Sequence, residues 1–259
     1  MQRVNYNEIA PLYDEPSRDH AVDPSLLAFV ESHPELAPST MRILDVGCGT
    51  GKQLTANRSR FPDMTMVGVD RFTGMLTIAQ QRGPSIAWVN GDGAALPLHA
   101  GSFHYVCNQF SYPHIQAKEH MVYDVWRVLK AGGRFAMTNI DPWSMPNWMV
   151  YRYFPAAREV DYQDFLPVER FVAVMRAAGF VNVHAHRASR VTREAVQDFL
   201  VYASQRHRTS QFMAIADQDY QAGLQRLKQV IANAQGQQTL VESEFCLVTI
   251  VGDKPASRA

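Results

Sequence analysis

Covalent cross-links are the first thing the chain does without. Its three cysteines, Cys48, Cys107 and Cys246, are odd in number, far apart and include no Cys-x-x-Cys pair, so neither a disulfide framework nor a zinc site is indicated and no metal is expected. A dominant charge is also missing. Lys and Arg number 25 against 25 Asp and Glu, which leaves none of the global basic field that nucleic-acid binders use, although a local patch stays open. No apolar run approaches the ~20 residues of a membrane span. The opening Met-Gln-Arg-Val-Asn-Tyr has no apolar stretch to serve as a signal peptide, so a cytoplasmic protein is expected. Repeats and low-complexity linkers are absent. The 259 residues are 46% hydrophobic, enough for one large α/β domain or one domain with an appendage.

Glycine is concentrated where it is most informative. Residues 42–53 read Arg-Ile-Leu-Asp-Val-Gly-Cys-Gly-Thr-Gly-Lys-Gln. An apolar run this short that breaks into glycines suits a buried parallel strand. Gly47, Gly49 and Gly51 then allow a tight turn and close approach to a ligand. Lys52 can open a helix whose N-terminal N–H groups face the same ligand. A dinucleotide fingerprint requires a third glycine where Lys52 stands, and a P-loop requires Ser or Thr where Gln53 stands, so both fail. The pattern that remains is Gly-x-Gly-x-Gly with Asp45 two residues ahead. It resembles the first motif of class I S-adenosylmethionine-dependent methyltransferases; the alternative is a glycine-rich turn with no chemical meaning.

Further landmarks follow in order. Residues 64–69 read as a second strand ending in Asp70, about 20 residues past the glycine loop, where an acid can bond ribose hydroxyls. Thr73 is placed to cap the next helix. A third strand at 86–89 leads to Gly91-Asp92-Gly93, and Asp92 matches the family's acceptor for the adenine amine; an ordinary Asp-Gly turn is the alternative. A fourth strand, 103–109, runs into Phe-Ser-Tyr-Pro-His. Val122, Val125, Trp126 and Leu129 recur at helical spacing up to Gly132-Gly133. Residues 127–135 resemble the family's helix-to-fifth-strand junction, and a strand at 134–139 ends near Asp141. These landmarks, with the Tyr6–Asp14 arm, resemble quinone and sterol C-methyltransferases of the small-molecule branch.

That resemblance implies a doubly wound, Rossmann-like α/β fold with a mostly parallel seven-stranded sheet. It divides the chain into an N-terminal helical arm or flap (1–40), a cofactor-binding core (41–190), a helical insertion (191–240) and a last strand with a tail (241–259). Asp23-Pro24 reads as the start of a helix in the arm. Aromatics crowd residues 142–165, including Trp143, Trp148, Tyr151, Tyr153, Phe154, Tyr162 and Phe165. They form either a hydrophobic cluster under a long loop or a lid over an apolar substrate pocket. Strands are expected at 181–186 and 245–251, separated by amphipathic helices over 192–238 that should pack over the substrate side or on another subunit. The run Arg206-His-Arg-Thr-Ser reads as a solvated helix end or as a site for an anionic substrate group. Residues 254–259 look like a loose tail.

By resemblance the cofactor is S-adenosyl-L-methionine, leaving as S-adenosyl-L-homocysteine. The expected cofactor site comprises Tyr13, Asp45, Gly47, Cys48, Gly49, Thr50, Gly51, Gln53, Asp70, Arg71, Asp92, Gly93, Asn108 and Gln109. Substrate is expected at Tyr6, Tyr112, His114, Asp141, Trp143 and Trp148, with His114 as the base for an oxygen or acidic carbon nucleophile. The expected reaction is in-line methyl transfer to a small apolar or aromatic molecule, in a monomer or a homodimer. Two other classes stay open: a cofactor-binding sensor or partner subunit without turnover, and an RNA methyltransferase. Neutral charge and the lack of an Asn/Asp-Pro-Pro-aromatic run weigh against the latter.

Overall fold

A computed structural model describes residues 4–14 and 20–256. Seven strands make one sheet: β1 (Arg42–Val46), β2 (Thr65–Asp70), β3 (Ala87–Asn90), β4 (Phe103–Gln109), β5 (Leu129–Ile140), β6 (Val181–Ala195) and β7 (Leu240–Asp253). Their order across the sheet is β3-β2-β1-β4-β5-β7-β6. The first five pair in parallel. β7 runs against β5, because Gly132 N–H donates to Lys254 O while Asp141 N–H donates to Cys246 O. The order reverses between β1 and β4, and ligands bind at the carboxyl edge of such a switch point. Among the described residues no helix is long and apolar enough to cross a membrane.

The chain falls into two compact units. The first comprises Tyr6–Asn139, Val168–His186 and residues 248–256. Its helices are α1 (Tyr6–Tyr13), α2 (Pro24–Glu31), α3 (Lys52–Arg60), α4 (Thr73–Arg82), α5 (Lys118–Val128) and α8 (Val168–Ala177). β1 and β2 are buried along nearly their whole length, as the central strands of a parallel sheet must be. On one face Ile43, Met66 and Tyr105 pack against Leu26 and Phe29 of α2. That helix starts as its sequence foretells, with Asp23 accepting the Ser25 N–H at 2.9 Å ahead of Pro24. Thr73, by contrast, is the first residue of α4 and not its cap. The helix's N-cap is Phe72, which has no side-chain cap bond, and Asp70 instead holds the preceding turn by accepting the Phe72 N–H.

The second unit comprises residues 4–5, Ile140–Pro167 and Arg187–Leu247. It holds α6 (Met149–Tyr153), α7 (Pro155–Asp164), α9 (Val196–Ala203), α10 (Ser210–Ala214) and α11 (Asp217–Asn233). The stripes of α9 and α11 find their partner inside this unit, in the aromatic segment itself. Fully buried Phe154 packs against Phe212 and Tyr220 at centroid distances of 4.6 and 5.9 Å, and Tyr153 lies 6.1 Å from Phe199. Gly223 of α11 has no room for a side chain, since an added Cβ would strike the Phe154 ring. Arg206 pairs with Asp217 and donates to the carbonyls of Phe212 and Ile215, so its charge is spent in holding a loop.

Several boundaries differ from expectation. β6 extends to Ala195 and β7 begins at Leu240, so residues 192–195 are strand and the helical segment starts at Val196. β6 is exposed at nearly every position; its apolar–polar alternation, Val181-Asn-Val-His-Ala-His, covers only the first six residues and leaves the extension to Ala195 unmarked. α5 stops at Val128 because Leu129 already pairs with Phe103 in the sheet. Lys254 is tied down, its N–H donating to Gly133 O and its ammonium to the Trp126 and Leu129 carbonyls. Residues 257–259 lie outside the described residues.

Candidate functional site

The glycine loop leaves β1 in the left-handed region, with φ of +75° at Gly47 and +53° at Gly49. The Gly47 and Cys48 N–H groups both donate to Val69 O, and the Gly49 N–H donates to Asp70 Oδ2 at 2.9 Å. Asp70 Oδ1 takes the Phe72 N–H at 2.9 Å. One carboxylate thus joins the loop after β1 to the turn after β2. The glycines serve different ends. A Cβ at Gly47 would run into Ser111, and one at Gly51 would come within 2.5 Å of Trp88, but at Gly49 nothing lies within 4 Å. Gly49 is the open crest of the loop.

That crest opens on a cleft whose empty space, counted out to open solvent, is about 680 Å³. Ten of the residues expected to bind ligand line it: Tyr6, Tyr13, Gly47, Gly49, Asp70, Arg71, Asp92, Gly93, Gln109 and His114. They come from α1 and from the ends of β1 to β4. Helix α1 is pinned at several points. Tyr6 Oη lies 3.0 Å from His114 Nε2, Asn7 Oδ1 accepts the Gly74 N–H at 2.9 Å, and Asp14 pairs with Arg82. The Tyr6 ring also packs on Tyr13, Phe72 and His114 at 5.2–5.7 Å.

The remaining expected residues do not line this cleft. Thr50 and Gln53 are buried beside the loop; Gln53 bonds His20, Ala21 O and Asn57. Cys48 and Gly51 pack inward. The Asn108 side chain is fully buried and committed to Val46 O, Ser111 Oγ and the Tyr112 N–H. Tyr112 is buried against Phe171, with ring centroids 5.3 Å apart. Asp141, Trp143 and Trp148 belong to the second unit. There Asp141 accepts from Trp143 N–H, Ser144 Oγ and Arg187 Nε. Trp143 stacks on Tyr162 at 5.1 Å, and Trp148 packs on Tyr151 and Phe245. Phe72, Met75, Phe110, Ser111 and Ile115 line the cleft without having been anticipated. Their position just past β2 and β4, at the carboxyl edge, was the signal that could have found them.

The electrostatics favour neutral groups in the interior. Burial pushes the Asp45 carboxyl up to about 7, with the Asp23 and Asp70 carboxyls adding to it. One Asp45 oxygen is buried without a partner. Burial also raises the Asp70 carboxyl, against the pull of the Phe72 and Gly49 N–H groups. His114 is pushed down to about 4, by burial first and by the Lys118 ammonium second. Its imidazole is therefore neutral at pH 7 and able to accept a proton.

Residues 43–133 match the model of a family described as a methyltransferase domain. A demethylmenaquinone methyltransferase of Thermus thermophilus is 30% identical over 212 residues, spanning 68% of this chain and 90% of that protein. A solved phosphoethanolamine N-methyltransferase 2 of Haemonchus contortus, in complex with phosphomonomethylethanolamine and S-adenosylhomocysteine, superposes with a TM-score of 0.55 at 18% identity. The match covers 89% of this chain and 52% of that one. The YcgJ protein of Bacillus subtilis superposes at 0.60 with 18% identity, covering 90% of this chain and 99% of that one. At these identities the structural likenesses speak for the fold alone.

Proposed function

The chain belongs to the class I S-adenosylmethionine-dependent methyltransferases, and from that premise we propose that its acceptor is a small planar hydroxylated ring of the quinol type. The enzyme transfers a methyl group from S-adenosylmethionine to a small molecule. The residues present fit that cofactor. The open Gly49 crest admits its methionine and ribose portions, and Asp70 and Asp92 offer carboxylates at successive strand ends. When bound, S-adenosylmethionine supplies an electrophilic methyl on its sulfonium. The protein's remaining tasks are to align a nucleophile, exclude water and take away a proton.

One observation carries the acceptor class: the Tyr6–His114 hydrogen bond stands at the cleft wall among Tyr13, Phe72 and Phe110. A polar pair in an aromatic setting suits a flat ring bearing a hydroxyl. The Thermus thermophilus relative, named for demethylmenaquinone, supports the same class. His114 accepts the proton given up by the ring hydroxyl as the ring becomes nucleophilic, or by the ring carbon after it has taken the methyl, and the Tyr6 hydroxyl holds the imidazole in place. α1 closes over the bound ligands as a flap.

Single-turnover transfer to a demethylated naphthohydroquinone tests this. His114→Ala should keep its affinity for S-adenosylhomocysteine and lose about 10²- to 10⁴-fold in rate, the usual share of a positioned base. Because His114 sits near 4, the acidic limb of kcat/KM in the parent should lie near that pH, well below the ordinary histidine value. Methylation of small amines or carboxylates in preference to every ring acceptor would overturn the proposal.

A further inference from the structure

Phe110 stands at φ +57°, in the left-handed region that bulky side chains avoid. The other two non-glycine residues described with positive φ are Asn182 and Gln235, which carry flexible polar side chains. A turn that merely needed this conformation would be served by glycine or asparagine. Strain of this kind persists where the surroundings over-determine it, and such places cluster at ligand sites.

The surroundings here do over-determine it. The Phe110 N–H donates to Thr138 O at 3.0 Å, extending the β4–β5 ladder by one residue. On the other side, buried Asn108 donates to Val46 O at 2.8 Å and to Ser111 Oγ at 2.7 Å, and accepts the Tyr112 N–H at 3.1 Å. Ser111 Oγ also donates to Val46 O. Residues 108, 111 and 112 are thus anchored to β1 and to one another, and the residue between them is forced outward.

Its ring is only partly covered. Phe110 is 39% exposed while lining the cleft. The Tyr6 ring in the same cleft packs on three others, but among the described residues no aromatic ring packs on Phe110. It also stands after β4, across β1 from β2 and β3, whose ends carry Asp70 and Asp92. That puts it beyond the strands that supply the cofactor's carboxylates.

We infer that Phe110 is the specificity-determining residue for the acceptor: its strained backbone holds an unstacked ring in the cleft so that a planar substrate stacks on it. The inference deepens the quinol reading and rests on it. Offset stacking on an aromatic face selects for flatness, so a saturated-ring analogue of similar size should be the poorer substrate.

Phe110→Gly separates the ring from the backbone, because glycine accepts the left-handed conformation without strain. The variant should melt within a few degrees of the parent, relief of strain offsetting the lost contacts and the freer unfolded chain. It should bind S-adenosylhomocysteine within about twofold of the parent. Its KM for the ring acceptor should rise on the order of tenfold, with kcat little changed, and its preference for the planar over the saturated ring should be lost. Phe110→Tyr should keep that preference. An unchanged KM overturns the inference. So does a tenfold loss of S-adenosylhomocysteine affinity, which would make the ring part of the cofactor site, or a clear fall in melting temperature, which would make it a packing residue. If the parent methylates no ring acceptor, the quinol reading itself falls and the inference with it. If the parent does and Phe110→Gly retains KM and preference, the inference falls alone.

Discussion

Two glycines in the two units show what space means in each. In the unit built from Ile140–Pro167 and Arg187–Leu247, Gly223 is missing a side chain because Phe154 occupies the volume, and that ring is in turn enclosed by Phe212 and Tyr220. In the unit that carries the cleft, Gly49 is missing a side chain and nothing replaces it. Two phenylalanines differ likewise, Phe154 fully buried and Phe110 39% exposed. At Gly223 the missing side chain becomes packing density, and at Gly49 it becomes access for a ligand.

The sharpest way to break this contrast is Gly49→Val. A β-branched residue at φ +53° is strained and projects into the open crest, so S-adenosylhomocysteine affinity should fall on the order of 100-fold or more, about 3 kcal/mol. Calorimetric titration reads the loss, and circular dichroism should still show a folded protein. Parent-like affinity would mean that the crest does not face the cofactor.

Gly223→Val should do the reverse. Overpacking against Phe154 costs typically about 1–3 kcal/mol, so the melting temperature should drop by several degrees while the chemistry at the cleft is untouched. A variant as stable as the parent would show that Phe154 can move aside and that the packing around α11 is loose.

The smallest effect concerns charge. Asp161 is buried, with its carboxyl bonded to Tyr151 Oη at 2.6 Å and to Gln211 Nε2 at 3.1 Å, and burial pushes it up to about 7. In the unfolded chain an aspartate ionises near 3.8. Between these values the unfolded state releases its proton first, so this group's contribution to stability falls as pH rises from about 4 to about 7. Asp161→Asn removes the titration. Relative to the parent, the variant should gain about 1 kcal/mol between pH 5 and pH 6, where only the unfolded chain has released this proton, measured by denaturant unfolding. A pH-independent difference between the two would place the Asp161 proton elsewhere.

What the sequence disclosed and what it hid follow from the range of the forces involved. Gly47, Gly49, Asp70 and Asp92 were legible because each sits at the end of a short apolar strand, and the carboxyl ends of adjacent parallel strands share one edge. Tyr6 and His114 could be named singly, but their contact spans 108 positions, and no local pattern encodes a pairing so distant. Whether Asn108 and Tyr112 face the cleft is not legible, because a strand end exposes one side chain and buries the next, and the turn after β4 decides which. Trp143 and Trp148 read as a substrate lining, yet they stack on Tyr162, Tyr151 and Phe245; an aromatic run carries no mark of whether its rings face a ligand or one another. The Phe110 conformation was hidden most completely, since nothing about phenylalanine suggests a left-handed residue.

The sheet order also constrains how the protein is made. β6 has a single neighbour, β7, which is also the strand that joins it to β5. During synthesis β6 therefore emerges from the ribosome with its partner still untranslated, and 44 residues separate its last position, Ala195, from Leu240. A nascent chain stalled before Leu240 would present two long unsatisfied edges, those of β5 and β6. Closing the sheet is thus a late event, available only once the seventh strand has been released, and until then chaperones or aggregation compete for the same hydrogen bonds.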